Sequence, residues 1–546
     1  MENREDLNSI IGFLPVVLRS SSLFWPSQVV ETLKALSKGP DHSKVDSGES
    51  LFLAISDIRQ SLNLTGDVLA FSTGDGFSLF FDNLMSRAEA NKWFGEVLPA
   101  MADMLLQLPS MLEAHYKNAD SVTCVGARDG LQTGLRLLKS QEAGMVLLSQ
   151  ELIGCLLACS FFCLFPFSTR GANHLRMINF DRLFASLHEN NNEKQENKIK
   201  CIIHYFERIC SSMPIGNLSF ERKVLAVDQT SNYIPYPKAE SWSKSVVPLC
   251  PFEVYSSGLI EDQLKEALEV DFANKYLGGA ALNKGCVQEE IRFMINPELI
   301  AGILFLPCMA ENESIEVVGA ERFSNYTGYA STFRFCGDFL DTKDSDITGR
   351  RKTRIIAMDA LSRVGKRQYG HDLLLRPTDD SSFPRLYREI NKAFCGFSDP
   401  CKSHRYEILL NGDHLSEAEH DQKLKSLESN SDNVSPASFE NEVGIVTGNW
   451  GCGAFGGDPE LKAMLQWLAA SQALRPFVVY YTFGLDALQS LDQVTKWITS
   501  NGWSVGDLWN MIVDYSSQRS KKKTKVGFFT WLLPRCSSDN PMISDP

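Results

Sequence analysis

Apolar and polar positions divide the chain into two textures. Up to about residue 220 the pattern is mostly helical. WFGEVLPAMADMLLQLPSML (93–112) and the run 145–165 are long and apolar, broken by prolines, and KIKCIIHYFERIC (198–210) is amphipathic. NNNEKQENK (190–198) reads as a polar loop. From about 221, short apolar or alternating runs take over: KVLAV (223–227), LEVDFA (268–273), SIEVVGA (314–320), RIIAMDA (354–360), VGIVTG (443–448) and FVVYYTF (477–483). Helical patterns fall between them at 286–296, 383–394 and 459–473. Strands alternating with helices predict an α/β fold, a sheet flanked by helices. Residues 402–438, including SLESNSDNVSP, are polar and poor in aromatics and predict a flexible surface loop. The expected organisation is a mainly helical accessory domain over 1–220, an α/β domain over 221–530 and a tail over 531–546.

Composition narrows the function classes. The 546 residues suffice for two or three domains, and 44% apolar with 22% charged residues is ordinary for a globular protein. A net charge of −13 repels nucleic acid over most of the surface, so direct DNA binding is not expected. A polyanionic ligand has to be gripped locally. The fourteen cysteines include no Cys-x-x-Cys pair. Cys155, Cys159 and Cys163 share one helix face without a histidine at ligand spacing, and read as buried thiols. Cysteine usage and an N-terminus, MENREDLNSI, without a signal-peptide pattern lead to the expectation of a nuclear and/or cytoplasmic protein. LIGCLLACSFFCLFPF (152–167) is too short to span a bilayer comfortably and predicts a buried helix, with no membrane partner. RRKTR (350–354) and RSKKKTK (519–525) read as solvated patches; the second also fits a nuclear-localisation signal or an accessory hold on a polyanion.

The densest chemistry lies in DFANKYLGGAALNKGCVQEE (271–290), which reads as strand, glycine loop and helix. Gly278 and Gly279 let backbone approach a phosphate or sugar with no Cβ in the way. Glu289 and Glu290 leave their helix about 100° apart, given 3.6 residues per turn, so they meet a substrate differently. A Glu pair on a helix is usually solvated, whereas carboxylates beside such a loop are the tools of glycosidic-bond chemistry. A second loop, TGNWGCGAFGGD (447–458), joins a strand to a helix and suits a diphosphate. Gly451, Gly453 and Gly456 match G-x-G-x-x-G, but the acid expected about 20 residues on is absent near Pro476–Val479.

GGAALNKGCVQEE resembles the signature of the poly(ADP-ribose) glycohydrolases, a glycine triplet followed by Gln-Glu-Glu, with Ala280 in place of the third glycine. The likeness runs from about Lys223 to Tyr515, and more weakly from Trp93 to Pro166. It implies a macrodomain-like mixed sheet and hydrolysis of the ribose–ribose O-glycosidic bonds of poly(ADP-ribose), releasing ADP-ribose. Glu290 is then the catalytic acid, with Glu289 on a ribose hydroxyl and Asp271 in support. The acid works through an oxocarbenium-like transition state, and partial burial is expected to raise its pKa. The resemblance places Asn274 at the ribose, Ile260 and Glu261 at the adenine edge, and Phe483 on the adenine face. Gly278, Gly279, Gln288, Tyr326 and Tyr329 line the site, and Asn449, Gly451, Cys452, Gly453, Ala454, Phe455 and Gly456 surround the diphosphate and terminal ribose. No metal and no cofactor are expected. The partner is poly(ADP-ribose) on modified proteins, met by a monomer. Two other readings stay open: a non-catalytic ADP-ribose-binding module and a nicotinamide-dependent oxidoreductase.

Overall fold

The computed structural model describes residues 1–119, 132–168, 170–190, 193–226, 234–362, 385–411 and 443–537. They form two compact units, and neither is a continuous stretch of chain. The first comprises Met1–Arg222, Ala273–Met309 and Glu316–Arg354; the second comprises Lys223–Phe272, Ala310–Ile315 and Ile355–Pro546. The described strands are β1 (Val17–Arg19), β2 (Ser22–Phe24), β3 (Gly144–Ser149), β4 (Asn217–Ala226), β5 (Ile234–Pro235), β6 (Phe252–Tyr255), β7 (Ala267–Asp271), β8 (Glu313–Val318), β9 (Ser324–Thr327), β10 (Arg334–Asp338), β11 (Arg354–Ala357), β12 (Gly444–Thr447) and β13 (Val478–Tyr481).

Helices dominate the first unit. Every residue of Gln150–Phe161 except Glu151 is buried, as expected of a helix apolar nearly all round. It starts where the Ser149 hydroxyl accepts the Leu152 N–H. Cys155, Cys159 and Cys163 are buried free thiols, as their spacing implies. No helix among the described residues is long and apolar enough to cross a membrane. Three expectations need correction here. The apolar run at 145–165 opens as a strand, β3, paired antiparallel with Asn217–Arg222 of β4. Residues 190–198 are helical from Glu193, because the helix Glu193–Ser211 starts inside the polar stretch. RRKTR is not a free basic patch: Arg350 pairs with Asp346, Arg351 with Glu321 and Arg354 with Glu316.

The second unit holds the run β7-β12-β13-β6 of a mixed sheet. β7, β12, β13 and β6 are mutually parallel: Ile445 lies opposite Leu268 and Val478, and Val479 opposite Glu253. Strands covered on both faces need near-continuous apolar sequence. GIVT and VVYY are accordingly buried throughout. Leu268, Val270, Ile445, Val478 and Tyr480 share a core with Trp467 and Leu468 of the helix Pro459–Gln472. Parallel direction sends the ends of β7, β12 and β13 to one sheet edge, where α/β folds place their ligands. The expected loop at 402–438 begins as a helix, Ser403–Asn411, and SLESNSDNVSP lies outside the described residues. Lys521, Lys522, Lys523 and Lys525 are exposed beyond the helix Val505–Ser520.

Candidate active site

In the first unit, the loop at 273–287 wraps around the two glutamates of the helix Gln288–Ile295. Both are buried, Glu289 at 3% and Glu290 at 7% exposure. Glu289 accepts the Asn274 N–H and the Gly278 N–H, both at 2.8 Å. Glu290 accepts the Ala280 N–H at 3.0 Å and the Val287 N–H at 2.9 Å. The bond to Val287 is ordinary capping, a Glu at the third helical position reaching back to the cap. The bond to Ala280 comes from the loop and fixes the carboxylate against it. Gly278 (φ +82°) and Gly279 (φ +50°) adopt backbone that L side chains rarely take. The Gly279 N–H goes to the Tyr276 carbonyl. The N–H groups of Asn274, Gly278, Gly279 and Ala280 therefore serve the protein's own carboxylates and carbonyls, and what these residues offer a ligand is close backbone approach. Ala280 lies outside the left-handed region, so its methyl costs the loop no backbone strain.

Tyr329 is hydrogen-bonded to the Gln288 backbone near Glu290, and burial, with Glu290 adding, pushes its phenol pKa up. Tyr326 packs instead against Phe333, ring centres 5.7 Å apart, and under the Arg322 guanidinium. Three further residues hold this loop. Arg176 donates to the Gly279 carbonyl at 2.7 Å and lies over the Tyr276 ring. Gly285 packs so tightly that a Cβ there would come 2.7 Å from the Glu290 carboxyl. Lys198 reaches in from the helix Glu193–Ser211. Gly285 had a legible signal, a further glycine in the same loop; Lys198 and Arg176 had none.

In the second unit, β12 leads into the loop 447–458 and β13 leads into Phe483, and the two ends are tied together. Asn449 donates to the Thr482 carbonyl at 3.0 Å, and the Tyr480 hydroxyl donates to the Asn449 amide oxygen at 3.1 Å. Phe483 is 49% exposed in left-handed backbone, φ +52°. Such backbone is uncommon for a bulky residue and marks a place where conformation serves something besides packing. A Cβ on Gly448 would meet Phe483 at 3.3 Å and Phe272 at 3.5 Å, so glycine lets both rings close on this backbone. Phe272, at the end of its strand, was not singled out from sequence. Ile260 is buried with Val446, Val479 and Tyr481, and Glu261 follows it in the same 3-10 turn. Asp271 is 1% exposed at the end of β7.

Inside the loop, the N–H groups of Cys452, Gly456 and Gly457 bond to Asn449, Gly453 and Gly451 carbonyls. Those of Gly453, Ala454 and Phe455 make no hydrogen bond among the described residues. Three consecutive amides are thus left as donors for a ligand. Asp458 caps the helix that follows, accepting from Glu460 and Leu461. Beneath the loop, buried Lys462 sits 3.8 Å from the centre of the Trp450 ring and pairs with Glu389. Among the described residues no group of three or more His, Cys, Asp or Glu is arranged to hold a metal.

Comparison with known proteins divides the chain by continuous stretches of sequence rather than by these two units. Residues 239–490 match the family model described as poly(ADP-ribose) glycohydrolase, macro domain fold, and residues 85–222 match the helical domain of the same family. Poly(ADP-ribose) glycohydrolase 1 of Arabidopsis thaliana is 54% identical over 100% of both chains. The chain belongs to the poly(ADP-ribose) glycohydrolase family. A second Arabidopsis thaliana relative, a probable poly(ADP-ribose) glycohydrolase 2, is 52% identical over 98% of this chain and 100% of its own. Poly(ADP-ribose) glycohydrolase 1 of Caenorhabditis elegans is 31% identical over 58% of this chain and 35% of its own. The macrodomain-fold and helical parts expected from sequence are those of this glycohydrolase family.

Proposed function

We propose that the protein hydrolyses the ribose–ribose O-glycosidic bonds of poly(ADP-ribose) on modified proteins and releases ADP-ribose. The observation that carries this reading is the Glu290 carboxyl, buried and held by the Ala280 and Val287 amides inside the glycine loop. Protonated Glu290 gives its proton to the departing ribose oxygen as the glycosidic bond breaks. The ribosyl oxocarbenium ion takes up water, and the Glu290 carboxylate removes the water's proton. Glu289 spends its charge on Asn274 and Gly278, which keeps the loop in shape beside a ribose hydroxyl. In the second unit, Phe483 stacks on adenine, Ile260 and Glu261 meet its edge, and the Gly453–Phe455 amides take the diphosphate. The chemistry needs one carboxyl group and a bound substrate.

Incubation with poly(ADP-ribose) and identification of the products tests this. Free ADP-ribose from the wild-type protein, with none from Glu290→Gln, supports it. Intact polymer after binding would mark a non-catalytic reader, and redox turnover of NAD(H) would mark a dehydrogenase.

A further inference from the structure

Lys198 lies in the helical part of the first unit, far in sequence from the glutamates, yet it is fully buried. Its ammonium donates to the Asn283 carbonyl at 2.5 Å and the Gly285 carbonyl at 2.6 Å. Gln195, one turn earlier on the same helix, donates to the same Asn283 carbonyl at 3.0 Å. The turn so gripped is closed on itself: the N–H groups of Asn283 and Gly285 both go to the Ala280 carbonyl. Ala280 in turn donates to Glu290, and Gly285 lies flat against the Glu290 carboxyl. One chain of contacts therefore runs from Lys198 through a single turn to the proposed acid. Burying a lysine is unfavourable unless its donors are matched, and a surface-facing residue would have served the helix as well.

We propose that Lys198 is a positioning residue for Glu290: it clamps the Asn283–Gly285 turn so that the Ala280 amide and the Gly285 backbone fix the carboxyl, and it sets a positive charge beside it. The proposal rests on Glu290 as the acid. Burial pulls the Lys198 pKa down to about 7, with Cys286 and Glu290 pulling upward from the loop and helix it meets. On its own helix Lys194 lowers it further and Cys201 raises it. Burial therefore makes the clamp's proton easier to lose than that of an exposed lysine.

Two variants separate the parts. Lys198→Met removes donors and charge; Lys198→Gln keeps donors and removes the charge. Lys198→Met should lower kcat by about 10²-fold, the cost of a small misplacement of a catalytic group, with KM little changed. Lys198→Gln should fall between it and wild type, because it keeps a donor to the turn and loses the charge. Amide hydrogen exchange over 278–290 should quicken in Lys198→Met while exchange in the second unit stays as it was. This readout stands apart from activity, so a wild-type protein inactive on the polymer would sink the functional reading and still leave the clamp open to test. A folded Lys198→Met with wild-type exchange over 278–290, or a folded Lys198→Gln with wild-type kcat at every pH, overturns the proposal. Should Lys198→Met fail to fold, Lys198→Gln decides alone.

Discussion

Gly279 lies against Glu289 with no room for a side chain: a Cβ there would run into Glu289 Oε2 and come within 2.6 Å of Glu290 Oε1. The same glycine has φ +50°, where any other residue costs about 1–2 kcal/mol. Gly279→Ala is therefore expected to abolish turnover and lower the melting temperature. Ala280→Gly should change turnover little, because Ala280 meets Glu290 through its N–H and has an ordinary backbone. Steady-state rates and thermal melts of the two variants check the contrast, and a fully active Gly279→Ala would refute it.

Glu290→Gln keeps the shape of the side chain and removes the proton relay. A lost general acid typically costs about 10²–10⁴ in rate. The substitution also turns one carboxylate oxygen into an NH₂ group facing either the Ala280 or the Val287 N–H, worth about 1–3 kcal/mol of local stability. Turnover should fall by the larger factor, with ADP-ribose affinity retained in calorimetry. Near-normal hydrolysis would remove Glu290 from its role.

Phe483→Ala should act on binding. The ring is half exposed, so its loss costs the fold little. A stacked base is worth about 1–3 kcal/mol by alanine substitution, or about one to two decades in affinity. An unchanged dissociation constant for ADP-ribose in a folded variant would take Phe483 out of the adenine site.

Glu389→Ala should destabilise the second unit. Glu389 accepts from the buried Lys462 and Arg388, the latter at 2.9 Å, and from the half-buried Leu361 N–H at 3.0 Å. Removing one partner of a buried ion pair costs about 3–5 kcal/mol because the other charge stays uncompensated. Chemical denaturation should show that loss. A change below about 1 kcal/mol would mean that water reaches the Lys462 ammonium.

The sequence carried the strands of the second unit well, because parallel strands covered on both faces must be apolar runs. It carried the Gln-Glu-Glu helix and both glycine loops, since each depends on residue types with few other uses. It hid β3, because GMVLLS and the helix after it are equally apolar and only Ser149 separates them. It hid Lys198, Gln195 and Arg176 for a different reason. On a helix or loop they look like solvent-facing polar residues, while their partners are backbone carbonyls, which every residue has.

The interleaving of the two units has a consequence for synthesis. The first unit ends its opening stretch at Arg222 and is completed only at Arg354, roughly 130 residues later. At about 5–20 residues per second that is a delay of roughly 7–26 s. For about the first half of it, until residue 285 is made, the helix Glu193–Ser211 exists without the Asn283 and Gly285 carbonyls that receive Gln195 and Lys198. A nascent chain stalled before residue 283 carries a buried-type lysine without the carbonyls that receive it, and the segment that supplies them, Ala273–Met309, is the one that brings the two glutamates.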